Sequence, residues 1–261
     1  MDLLYLIQIA TSLIFFSNVL ELNYITASLW SLSLYITYRI YEYSTRKPLI
    51  ICVEGNIGTG KTTFLNILEK FGYFVVREPV DIWKEHGLLG NFYEDMSRWS
   101  YTFQNYAFMT RLQVMRNIFK TRKRVVFVER SIYTDRNVFA KNLHNDGKLS
   151  DMEWKIYKEW FVWLKKIYKK AGCPVEPDGF VYLKALPTVS HERIKKRARS
   201  EEDCIQLEYL TRLHRDHENW LLNESRNKIP ILVVRCNEDF ENNNTRQKAI
   251  FEGIEDFLKS I

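Results

Sequence analysis

Gly55, Gly60, Lys61 and Thr62 meet the spacing G-x-x-x-x-G-K-[ST], within the run Gly55, Asn56, Ile57, Gly58, Thr59, Gly60, Lys61, Thr62, Thr63. These residue types at this spacing suit the gripping of a polyphosphate. Glycines let backbone N–H groups close around phosphate oxygens where a Cβ would obstruct them. Lys61 brings a point charge to the terminal phosphates, and the Thr62 hydroxyl is placed to ligate Mg²⁺. The apolar run Leu49, Ile50, Ile51, Cys52, Val53 before the loop reads as a buried strand, and Thr62, Thr63, Phe64, Leu65, Ile67 and Leu68 open a helix. The N-terminus of that helix adds its partial positive charge to the same anion. A glycine turn without a ligand is the competing reading, and the strand and helix on either side argue against it.

Three more constellations carry candidate chemistry. Glu78, in Arg77–Trp83, falls at the carboxyl end of a predicted second strand, where ligands bind in open α/β sheets. It reads either as a general base for an acceptor hydroxyl or as a surface carboxylate. Pro79 restricts it to an extended conformation, and Trp83 offers a flat apolar face for a base or a sugar. Val125–Ser131 reads as a buried strand ending in Glu129 and Arg130, either a metal-supporting carboxylate beside a phosphate fork or a structural ion pair. Arg193, Lys195, Lys196, Arg197 and Arg199 precede Glu201, Glu202 and Asp203. Such a run suits a lid over polyphosphate, and equally a solvated helix face.

The elements that must position these residues alternate between strand and helix with short connections, the pattern of a parallel α/β sheet. Strands are predicted at 49–54, 73–77, 125–129, 179–183 and 229–234, and helices at 61–71, 99–121, 133–143, 151–171, 187–197, 207–223 and 245–261. Residues 48–261 read as one domain behind a hydrophobic segment, 1–47. Among 261 residues, net charge +6 is spread among acids rather than gathered into a tail, so the expected partner is a small polyphosphate and no nucleic acid. The four cysteines lack metal-ligand spacing and fit reduced thiols.

From Leu3 to Tyr38 the only charged residue is Glu21, which predicts membrane association through residues 3–38. The candidates are a hairpin of two spans, Leu3–Leu20 and Leu22–Tyr38, or one tilted span with an interfacial remainder. An apolar arm packed on the following domain is the bland alternative. The cations Arg39, Arg46 and Lys47 place that domain in the cytosol, and the scarcity of Arg within the segment disfavours a mitochondrial address.

The runs VEGNIGTGKTT, REPVDIW, FYEDMSRWSYTFQNYAFMTR, FVERSIYTDRNVFAKNL, RARSEE and LEYLTRLHRDHENWL follow one another in the order and spacing of the deoxynucleoside kinases. The chain resembles that family, its deoxycytidine and deoxyguanosine kinases most, over about Leu49–Ile261. The resemblance implies an α/β P-loop kinase fold with a five-stranded parallel sheet flanked by helices. It also implies Mg²⁺, ATP or UTP as phosphoryl donor, a deoxynucleoside 5′-hydroxyl as acceptor, and a homodimer built on two long helices.

Carried over residue by residue, the resemblance makes Glu78 the general base and Arg130 its bridge to the phosphoryl group. Glu129 and Thr62 become the metal-side oxygens, and Tyr93 with Glu202 the pair on the sugar 3′-hydroxyl. Gln104 pairs with the base edge between Trp83, Phe103 and Phe139. Arg193, Arg197 and Arg199 form the lid, and Glu238, Asp239 and Phe240 the loop beside the donor base. Arg111 and Asp135 are expected to face the base. A carboxylate there favours bases with an exocyclic amino group, which thymine lacks. Ala107 resembles the deoxycytidine kinases and NDGKLSDMEW the deoxyguanosine enzyme, so deoxycytidine is the expected substrate, with purine deoxynucleosides behind it. Arg77, Arg235 and Cys236 depart from the family pattern. A membrane-tethered NTPase and a thymidylate-type monophosphate kinase are the competing functions.

Overall fold

Successive residues of a strand point to opposite faces of its sheet, and β1 (Leu49–Glu54) divides its side chains accordingly. Ile50 and Cys52 enter one apolar core, Ile51 and Val53 the other. The computed structural model describes residues 9, 11–12, 24–45, 47–118, 121, 123–224 and 229–261. With β2 (Phe74–Val76), β3 (Val125–Glu129), β4 (Gly179–Lys184) and β5 (Ile231–Arg235), β1 forms a five-stranded sheet in the order β2-β3-β1-β4-β5, parallel throughout. Strands buried on both faces read as near-continuous apolar runs, which is why the strands were legible. The central position of β1 makes the carboxyl ends of β1 and β3 a topological switch point, the place where such sheets hold ligands.

The helices that carry the site are α2 (Lys61–Lys70), α3 (Val80–Glu85), α4 (Leu88–Glu94) and α5 (Met96–Ile118). They follow α1 (Tyr24–Thr45) and precede α6 (Ile132–Thr134), α7 (Lys141–Asn145), α8 (Asp151–Lys170), α9 (Pro187–Arg197), α10 (Leu207–Glu218) and α11 (Asn244–Ser260). A third apolar core gathers Trp83, Phe92, Phe103, Phe108, Tyr157 and Phe161 from α3, α4, α5 and α8.

Several boundaries depart from the sequence expectation. The second strand is confined to Phe74–Val76 rather than 73–77, leaving Arg77 and Glu78 in the turn that follows it. The short helices α3 and α4 were not expected. The expected helix 133–143 is interrupted by a π-turn, Asp135–Ala140, between α6 and α7, and the end of 207–223 is a second one, Asn219–Glu224. The fifth strand spans Ile231–Arg235 rather than 229–234. The expected start of α8 is found at a capping box: the Ser150 hydroxyl accepts from the Glu153 N–H while the Glu153 carboxylate accepts from the Ser150 N–H.

Two units partition the chain, Met1–Lys47 and Pro48–Ile261. Within the first, α1 carries Leu29, Trp30, Leu32, Tyr35, Ile36 and Tyr38 exposed. Among the described residues no helix is long and apolar enough to cross a membrane. The expected second span, Leu22–Tyr38, is corrected accordingly: Thr, Ser and Tyr dilute the hydropathy of α1. The expected first span, Leu3–Leu20, lies almost wholly outside the described residues. All four cysteines are free thiols, with Cys52 and Cys236 buried and Cys204 exposed.

Candidate active site

The loop between β1 and α2 is shaped by its glycines. A Cβ on Gly55 would come within 2.7 Å of the Leu183 carbonyl oxygen, and one on Gly58 within 2.4 Å of the Ser190 carbonyl oxygen in α9. No other residue fits either position, so the loop is pressed between β4 and α9. Lys61 Nζ folds back over it, donating to the carbonyl oxygens of Gly55 at 3.2 Å and Asn56 at 2.8 Å. Burial, reinforced by Arg130, lowers the Lys61 ammonium to about 7. The loop is fixed from behind by Asn56, whose Nδ2 donates to the Leu210 carbonyl oxygen of α10 at 2.8 Å.

β1 and β3 end in carboxylates with different tasks. Glu54 is fully buried and accepts from the Ser131 N–H at 2.8 Å and from the Thr134 hydroxyl. This grip holds the chain just after Arg130, whose φ of 60° is left-handed, a conformation that costs a non-glycine residue about 1 kcal/mol or more. Arg130 donates from Nη1 to the Gly55 carbonyl oxygen at 2.7 Å, brings Nε to 3.7 Å from Glu78 Oε1, and lies over the Phe139 ring at 4.9 Å. Glu129 Oε2 accepts from the Glu78 N–H at 3.4 Å.

Glu78 also pairs with Arg111 Nη2. Burial works against its ionised form, but Arg111, Arg130 and Lys61 outweigh that and hold its carboxyl below the usual carboxylate range. Arg111 Nε donates to Asp135 Oδ1 at 3.0 Å and lies 2.8 Å from Oδ2. The π-turn presents Asp135 here, in keeping with the frequent placement of such turns at functional sites. Burial raises the Asp135 carboxyl to about 7, with Arg111 opposing and Glu78 adding to the shift. Two buried polar atoms of this wall have no partner in the protein, Gln104 Oε1 and Arg111 Nη1, while Asp135 Oδ2 is held in the ion pair with Arg111.

These groups line one cleft of about 800 Å³. Its aromatic wall is built by Trp83 edge-on to Phe103 at 5.4 Å, with Phe92 stacked on Phe103 at 4.5 Å. Trp83 Nε1 donates to Thr110 Oγ1 at 3.0 Å, which fixes the indole. Tyr93 and Phe139 complete that end, and burial, with Tyr209 and Glu202 adding, pushes the Tyr93 phenol well above its ordinary range. Thr62, Thr63, Arg193, Arg197, Arg199, Glu202, Asp239 and Phe240 line the same cleft. Arg197 and Arg199 both pair with Glu202, Arg199 Nη1 at 3.4 Å from Oε1.

Of the residues expected at the site, Gly55, Asn56, Thr59 and Glu238 do not line the cleft. The first three form the back of the loop, and Glu238 Oε2 pairs with Arg246 Nη1 at 3.0 Å. Arg193 borders the cleft, but its guanidinium donates to the carbonyl oxygens of Cys236 at 2.7 Å, Glu238 at 3.2 Å, and Thr59 and Asn237 at 3.4 Å. It rivets α9 to the loop after β5. Sequence reasoning missed Leu89, Phe92 and Tyr209 as lining residues and Glu54 as a support. Only Glu54 had a signal, an acid closing an apolar strand. Arg77, at the mouth, is tied to Glu69 and to Asn66 Oδ1 at 2.7 Å.

A family model described as deoxynucleoside kinase matches residues 51–259. A probable deoxycytidine kinase of fowlpox virus (strain NVSL) is 39% identical over 213 residues, covering 81% of this chain and 88% of the relative. Deoxycytidine kinase 2 of Gallus gallus is 37% identical, covering 80% and 90%. A mitochondrial deoxyguanosine kinase of Xenopus laevis is 36% identical, covering 78% and 90%.

Proposed function

The chain belongs to the deoxynucleoside kinase family, and from that premise we propose that it transfers the γ-phosphoryl group of ATP or UTP to the 5′-hydroxyl of a deoxynucleoside, preferably deoxycytidine. The observation that carries the preference is the set of unpartnered atoms on the cleft wall. Gln104 Oε1 is an unpaired acceptor and Arg111 Nη1 an unpaired donor, and the Asp135 carboxylate, paired with Arg111, is a second acceptor beside them. Each buried polar atom left unpaired costs about 1–3 kcal/mol. A base with an exocyclic amino group beside ring acceptors satisfies both unpaired atoms, as cytosine does. Thymine would set a carbonyl oxygen against two acceptors.

In this reading Glu78 takes the proton of the 5′-hydroxyl, and its ionised state, secured by Arg111 and Arg130, is the one a base requires. Arg130 reaches from Glu78 towards the loop and balances charge on the phosphoryl group in transit. Lys61 and the helix N-terminus hold the donor phosphates. Arg197 and Arg199 close over them, while Arg193 keeps α9 in register with the donor-side loop at Asp239 and Phe240. Tyr93 and Glu202 take the sugar 3′-hydroxyl.

Thr62 and Glu129 fit Mg²⁺, which takes one or two protein oxygens and otherwise binds phosphate and water. Among the described residues no cluster of three or more His, Cys, Asp or Glu forms a dedicated metal cage. Bound there, Mg²⁺ would neutralise charge between the donor phosphates.

The exposed stripe of Met152, Ile156, Trp160, Trp163 and Ile167 along α8 supports a homodimer. The cytosol is the compartment this reading implies, and cell fractionation tests it.

Steady-state phosphorylation of the four deoxynucleosides, with ATP and with UTP, tests the assignment. Deoxycytidine should give the highest kcat/KM, and thymidine emerging as the best substrate would sink the preference.

A further inference from the structure

Two neighbouring carboxylates, Glu201 and Glu202, tie the lid arginines to α3. Glu202 lies in a 3₁₀ turn, Ser200–Glu202, and the lid arginines engage both its oxygens: Arg197 pairs with Oε2, and Arg199 Nη1 is 3.4 Å from Oε1. Its neighbour Glu201 accepts from Lys84 Nζ at 3.1 Å, which fastens the turn to α3. The turn therefore touches both halves of the site.

Charge-assisted pairs of this kind are roughly twice as strong as neutral hydrogen bonds. A sugar hydroxyl, a neutral donor, competes poorly for a carboxylate whose two oxygens already face guanidiniums. A triphosphate competes well for the guanidiniums, because it offers several charged oxygens at a spacing the arginine fork matches. Arg197 and Arg199 line the same cleft as Lys61 and Thr62, and Arg197 is close enough to Lys61 for their charges to oppose each other.

We infer that Glu202 is a positioning residue that makes recognition of the acceptor depend on the donor. The triphosphate draws Arg197 and Arg199 off Glu202, and the released carboxylate takes the 3′-hydroxyl of the deoxynucleoside. The inference rests on the kinase reading above and adds to it an energetic link between two substrates. Linkage is reciprocal: an acceptor with a 3′-hydroxyl tightens triphosphate binding, and one without it does not.

Calorimetric titration of the full chain with deoxycytidine and with 2′,3′-dideoxycytidine tests this, each run with and without Mg²⁺ and the β,γ-imido analogue of ATP. Without the analogue the two nucleosides should bind alike. With it, deoxycytidine should tighten on the order of tenfold, within the usual range of coupling between sites, and the dideoxynucleoside should lag behind by that factor. In an Arg197→Ala, Arg199→Ala double variant the 3′-hydroxyl preference should be present with or without the analogue. In Glu202→Gln, which keeps the shape of the side chain, the analogue should create no such preference. A preference of equal size with and without the analogue in the unaltered chain, or none in either case, overturns the coupling while leaving deoxynucleoside phosphorylation intact. Failure to bind or phosphorylate any deoxynucleoside overturns the coupling and the kinase reading together.

Discussion

Glu78 and Lys61 are shifted from their ordinary titration, and both shifts lead to measurements. Glu78 is kept ionised by the cations around it. Glu78→Gln keeps the shape and removes the base, so kcat should fall about 10²- to 10⁴-fold while triphosphate affinity stays within about twofold; unchanged turnover would remove Glu78 from the role of base. Lys61 is the reverse case, a cation that burial lowers to about 7. Below that pH it is charged and ready for phosphate; above it the amine is neutral, and the triphosphate must bind together with a proton. Triphosphate affinity should therefore be flat below about pH 7 and fall by up to roughly tenfold per unit above it. Titrations in buffers of different ionisation enthalpy would register the proton uptake, and a pH-independent affinity would refute the assignment. Both residues were legible in the sequence. The spacing around Lys61 is a local rule; the place of Glu78 after an apolar strand left it open between a base and a surface carboxylate, and the family resemblance implied the base.

At the scale of elements, legibility depended on length. β1, β3 and β4 were read correctly because continuous apolar runs admit few other fates. The helices α3 and α4 span only 6 and 7 residues, too short for a hydrophobic period to declare itself. The π-turn that delivers Asp135 is set by how α5 and α10 pack against it, and a one-residue change in helical register leaves no local mark. Arg130's left-handed backbone is likewise imposed from a distance, by Glu54. The lid carries a second such residue, Ala198, with φ 49° and ψ 48° at the end of α9. Glycine tolerates that conformation without a Cβ penalty. Ala198→Gly should stabilise the chain by about 1 kcal/mol, raising Tm by about 2–4 °C, as calorimetry would detect. An unchanged or lower Tm would mean that added freedom in the unfolded chain outweighs the relief.

Over the whole molecule, the surface that the site leaves unexplained is α8. Its inner side buries Tyr157 and Phe161, and its outer side exposes Trp160 and Trp163 in edge-to-face contact at 5.4 Å. Trp160→Glu with Trp163→Glu should convert a dimer to a monomer in sedimentation velocity, and a monomeric parent chain would refute the proposed partner for this face. The family model begins at residue 51, so 1–47 lies outside what the relationship explains. The apolar composition of 1–47 was plain in the sequence, yet composition alone did not tell a span from a helix of mixed character, because Ser, Thr and Tyr occur in both.

Arg130 is bonded at both ends to one short stretch of chain. Its N–H donates to the Val53 carbonyl oxygen at 3.0 Å and its guanidinium to that of Gly55. Main chain and side chain therefore answer to the same ruler, the last residues of β1 and the first of the loop. In the proposed transfer, the path between Lys61 and Glu78 would then be gauged by bonds at the carboxyl end of one sheet. Closure of the proposed lid would cover that path without lengthening it.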